Sequence, residues 1–128
     1  MRTEALIRAL ILGAATLATA GTASAEVLSL VCRVQETKGT AHRVIGRRLD
    51  IDLGRKTVRI SDNVGRGWVF KNQYPFLSAD RQRIRLESGG GKDSYVDRVS
   101  GTYFFHNQAD GVTMRGPCHR APPERPRF

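Results

Sequence analysis

The sequence predicts an all-β domain, and three observations support that prediction. Apolar and polar residues alternate in one short segment after another. No segment longer than two turns places apolar residues at helical spacing. Clusters of Gly, Asn and Asp punctuate the alternating segments. About seven to eight short strands joined by turns fit a small antiparallel barrel or a sandwich, and a small barrel with stapled termini is the architecture expected.

The elements follow in chain order. In Val27-Leu28-Ser29-Leu30-Val31-Cys32-Arg33-Val34, residues Leu28, Leu30, Cys32 and Val34 share one face of a strand. Arg43 to Ser61 reads as a hairpin with Leu49, Ile51 and Leu53 on one face, a Gly54-Arg55-Lys56 turn, and Val58 and Ile60 on the return; Asp50 and Asp52 fall outside, opposite Arg59. The cluster Ser61 to Gly67 turns the chain into the apolar run Trp68-Val69-Phe70. The stretch from Tyr74 to Arg81 permits a short helix. Ile84 and Leu86 point inward between Arg83, Arg85 and Glu87, and Gly89-Gly90-Gly91-Lys92-Asp93 connects to Ser94–His106, where Phe104 and Phe105 leave the register open and Gly101 marks a bulge or bend. After a turn at Asn107–Gly111, Val112, Met114, Gly116 and Cys118 share one face. The two terminal strands with inward cysteines therefore lie side by side or face each other across the core.

The first 25 residues stand apart. Arg2 and Arg8 flank a polar start, Ala9 to Leu17 is apolar or small, and Ala23-Ser24-Ala25 places small residues where signal peptidase needs them, so residues 1–25 read as a signal peptide cleaved after Ala25. The apolar run is shorter than the about 20 residues of a membrane-spanning helix, and no transmembrane span is expected. Cys32 is not a lipoprotein cysteine, because Val31 stands where that site needs a small residue. Residues 26–120 form a single β domain, and 121–128 a disordered Pro- and Arg-rich tail. The expected location is periplasmic or secreted. In such an oxidising compartment Cys32 and Cys118, the chain's two cysteines, pair in a disulfide that helps a small domain hold its fold.

The chain carries 21 basic and 12 acidic residues, a net charge of +9; removing residues 1–25 takes away Arg2, Arg8 and Glu4 and leaves +8. Arg81, Arg83 and Arg85 recur at strand spacing, about 6.6 Å apart along one face, and with Arg59 they form the candidate anion-binding site; Arg43, Arg47, Arg48, Arg55, Lys56 and Arg115 add to the charge. Guanidinium forks pair with phosphate and carboxylate. A solvated face that discourages edge pairing accounts for the same residues. Export removes nucleic acid as a partner and leaves an anionic lipid or envelope glycolipid, or a protein, as the candidates.

Catalytic and metal chemistry find no constellation. Asp50 and Asp52 share a face at a separation glycosidases use, but they sit outward beside Arg48 and Arg59, without the cleft that would split their pKa values. His42, His106 and His119 have no metal-ligand spacing, and a local hydrogen bond near the His106–Asp110 turn is the simpler reading. Ser94 and Ser100 lie in no G-x-S-x-G elbow, and the three glycines before Lys92 lack the spacing of a phosphate loop. No cofactor is implied. Trp68, between Gly67 and Val69, reads as core or as a plug at the barrel end, with a binding mouth as the alternative.

The leader, the early cysteine, the alternating strands, the V-D-R-x-S-G stretch from Val96 to Gly101 and the late Gly116-Pro117-Cys118 resemble small exported β-proteins of Gram-negative bacteria. That resemblance implies a β fold and export and brings no activity with it. Small exported barrels include inhibitors of lysozyme, but a +8 chain would be repelled at long range by a basic lysozyme. The functional expectation is a non-enzymatic basic β-barrel protein binding an anionic envelope component through Arg81, Arg83 and Arg85. The alternative is a protein-interaction module or inhibitor using the loops near Trp68 and the 89–93 turn.

Overall fold

A computed structural model describes residues 26–122. The signal-peptide reading of residues 1–25 lies outside the described residues, as does most of the tail. The described residues form nine strands and no helix: β1 Val27–Lys38, β2 Ala41–Asp52, β3 Thr57–Asn63, β4 Trp68–Pro75, β5 Ser78–Ala79, β6 Arg83–Gly89, β7 Lys92–Asp97, β8 Thr102–Asn107 and β9 Val112–Arg120. All pairings are antiparallel, in the order β4-β3-β2-β1-β9-β8-β7-β6-β5.

The terminal strands therefore lie side by side at the middle of the sheet. β1 and β9 are paired, and Cys32 stands directly opposite Cys118, to which it is disulfide-bonded. Two meanders run outward from this seam, β2-β3-β4 on one flank and β8-β7-β6-β5 on the other. The sheet curls into a half-barrel. This corrects the closed barrel or two-layer sandwich: β4 and β5 are both edges, and no ladder joins them. The ninth strand is β5, two residues paired with Arg85 and Ile84, too short to show alternation. It replaces the helix allowed over Tyr74–Arg81, since β4 runs on to Pro75.

The concave face holds the core. Leu28, Leu30, Cys32 and Val34 of β1 meet Ile45, Leu49 and Ile51 of β2, Val58 and Ile60 of β3, Ile84 and Leu86 of β6, Val96, Tyr103 and Met114. Each fully buried aliphatic side chain contributes roughly 1.5–3 kcal/mol. Phe105 packs against this cluster while Phe104 stacks outside on Tyr95, centroids 5.1 Å apart, which resolves the ambiguous register. Gly101 closes the turn between β7 and β8, and Lys56, with φ of +58°, takes the left-handed position of the Leu53–Lys56 turn. At Gly116 an added Cβ would lie 1.8 Å from the Arg33 carbonyl oxygen, so only glycine lets β9 approach β1 this closely.

Candidate functional site

The expected arginine stripe is divided. Arg83 and Arg85 lie on β6, but Arg81 precedes the strand in a bend. Arg83 lies 3.9 Å from the ring centroid of Tyr95. Arg83 and Arg85 line a cleft of about 360 Å³ together with Asp80 and Asp97. Both carboxyl groups sit below the usual carboxylate range: the backbone N–H groups of Arg83 and Gln82 donate to Asp80, and those of Ser100 and Val99 to Asp97. The charge of the cleft is thus balanced. Arg59 is on β3, in the other flank of the sheet, with its guanidinium 4.6 Å from the Phe70 ring centroid. Arg47 leaves the basic surface altogether. It is buried on the concave face, donating to Asp62 through Nε at 2.7 Å and Nη2 at 2.8 Å, and through Nη1 to the Tyr103 hydroxyl at 2.9 Å.

Trp68 is not core. It is 42% exposed, Val69 58% and Phe70 50%, three consecutive large apolar side chains in water. The local sequence explains how they come to be there. Val64-Gly65-Arg66-Gly67 turns the chain, and Trp68, Phe70 and Gln73 pair with Asn63, Ser61 and Arg59, all on the outer face. A register shift at Ile60/Ser61 leaves Lys71 as an extra residue in β4. The indole of Trp68 reaches across Asn63 to Gly46, where an added Cβ would lie 3.2 Å from Cη2. Two contacts therefore organise the patch: Gly46 seats the indole, and Arg59 covers one face of Phe70. For Trp68 the neighbouring glycines already point to a binding mouth as the alternative to core. The missing signal for Phe70 was that β4 is an edge.

The remaining candidates resolve simply. Asp50 accepts from Arg48 and from the Ser29 hydroxyl, and Asp52 from the Arg55 amide, so both are outer-face structural acids. His106 pairs with the Thr113 hydroxyl at 3.1 Å. No group of three potential metal ligands occurs among the described residues, and no helix among them is long and apolar enough to cross a membrane. The Gly89–Gly91 turn lies at the same end of the sheet as the Val64–Gly67 turn. Comparison with protein-family models, with curated proteins and with solved structures finds no match.

Proposed function

We propose that this chain is an exported, non-enzymatic interaction module that recognises a protein partner through the Trp68–Phe70 patch. The reading rests on one observation: Trp68 and Phe70 stay largely solvent-exposed on the outer face of a strand that has a neighbour on one side only. Aromatic residues held in place yet exposed are typical anchors of protein interfaces, and a contiguous exposed apolar patch marks an interaction site. The disulfide is compatible with an oxidising compartment, as export through the Ala23-Ser24-Ala25 pattern requires. Binding of an anionic lipid or glycolipid by Arg81, Arg83, Arg85 and Arg59 has less support. Asp80 and Asp97 share the cleft of Arg83 and Arg85, and Arg59 belongs to the opposite flank.

The test is capture from cell-envelope extract by the oxidised protein, washed at low and then high salt. A protein retained at high salt by the native chain and lost from Trp68→Ala/Phe70→Ala supports the proposal. An anionic lipid or glycolipid that elutes at high salt, is indifferent to the aromatic variant and is lost from Arg83→Ser/Arg85→Ser overturns it.

A further inference from the structure

We infer that β4 takes up an extended acidic segment of another protein as an added strand. This rests on the protein-binding reading of the patch and specifies its partner. The hydrogen-bonding phase of the sheet decides which groups β4 offers. Leu53 donates to the Glu26 carbonyl at 2.9 Å, continuing the register of β1 and β2. In an antiparallel ladder, successive residues turn their backbone groups alternately to one neighbour and the other. Asp52, Asp50, Arg48 and Gly46 therefore turn to β3, and their partners Thr57, Arg59, Ser61 and Asn63 turn to β2, away from β4. The β4 residues opposite them are Pro75, Gln73, Phe70 and Trp68, whose backbone groups consequently face the open edge. Two further bonds agree with this phase: Phe76 donates to the Lys56 carbonyl at 3.0 Å, and the Gln73 amide is met by the side chain of Asn72 at 2.9 Å. Pro75 has no N–H to satisfy. The backbone groups that await a strand are thus those of Trp68 and Phe70, the same residues whose side chains form the patch.

Charge selects the occupant. From Val64 to Pro75 the chain carries Arg66 and Lys71 and no acid, and the acid of β3, Asp62, is held by the buried Arg47. Arg59 adds a third cation beside Phe70. A second copy of this edge would bring Lys71 of β4, Arg66 of the turn before it and Arg59 of β3 near their own like charges, whereas an acidic segment pairs with them. Strand addition of this kind takes its affinity from main-chain bonds and its specificity from flanking side chains. The segment that fits is extended and acidic, with an apolar residue to lie beside Trp68 and Phe70.

The experiment adds capped eight-residue peptides, alternating Val with Asp or Val with Lys, to the oxidised full chain. It follows the fluorescence of Trp68, the chain's single tryptophan, and amide hydrogen exchange along β4. The acidic peptide is expected to slow exchange of the Trp68 and Phe70 amides roughly tenfold or more, the basic peptide to leave it unchanged, and Arg66→Glu/Lys71→Glu to reverse the preference. A fluorescence change without amide protection overturns strand addition but leaves recognition at the patch standing. No response to the acidic peptide overturns the inference, and the capture experiment then decides protein recognition independently.

Discussion

Arg47 and Asp62 form an ion pair inside a hydrophobic trough, with side chains only 8% and 11% exposed. Burial works against the Arg47 charge, but the hydrogen bonds it donates to Asp62 and to the Tyr103 hydroxyl, with the Asp62 charge, more than offset it, so its pKa lies above the ordinary arginine value. Such a pair costs nearly as much to desolvate as it returns, while a single survivor is an unpaired buried charge. Asp62→Leu is therefore expected to destabilise the fold by about 3 kcal/mol, read by urea unfolding. The double variant Asp62→Leu/Arg47→Met should recover most of that loss; equal destabilisation in both would show that the pair is not coupled. By its type Arg47 counts among the surface charges although alternation turns it inward, and only the acid directly opposite it on β3, Asp62, reconciles the two signals.

At the scale of elements, the seam between β1 and β9 and the free edge of β4 matter most. β9 reaches β1 only because Gly116 lacks a side chain, with the Arg33 carbonyl 1.8 Å from where its Cβ would stand. Backbone on both sides leaves nothing flexible to yield. Gly116→Ala is expected to cost about 3 kcal/mol and to lower the thermal midpoint measured by circular dichroism; an unchanged midpoint would mean that the two strands separate freely there. β4 illustrates the opposite case. Its inner row contributes little burial because no strand lies beyond it, so Val69 stays exposed although it pairs with the buried Asp62. Lys71 and Pro75 interrupt its regularity, as edge strands commonly require to avoid self-association.

On the scale of the whole molecule, one disulfide ties the two ends of the described chain at the centre of the sheet, closing a separation of 86 residues. In the chain-entropy model that closure is worth about 4–5 kcal/mol, a large part of the roughly 5–15 kcal/mol of a typical domain. Reductant should lower the thermal midpoint markedly, and an unaltered unfolding curve would refute a stabilising role. Stability should also fall at both extremes of pH. Asp80 and Asp97 have depressed pKa values, through the backbone N–H bonds they accept. Their contribution is present above the unfolded value of about 3.9 and disappears as pH falls through the folded one. Tyr74 and Tyr103 are raised, first by burial and, for Tyr74, next by the Glu87 charge. Their contribution is complete below about pH 10 and is lost as pH climbs through the folded values. Unfolding midpoints measured across this range should plateau between these limits, and an acid limb unchanged in Asp80→Asn/Asp97→Asn would deny those carboxylates their part. Much of this architecture was legible in the sequence by itself. Alternation is a local property, so the β class, the inward rows of β1 and β9 and the inward cysteines were determined along the chain. Tertiary structure decided what depends on partners distant in sequence: whether the sheet closes, that β4 is an edge, that Asp62 neutralises Arg47 and that Asp80 and Asp97 share the cleft of Arg83 and Arg85. A residue's own type and spacing indicate which face it takes, but its exposure and net charge depend on which strand lies next to it.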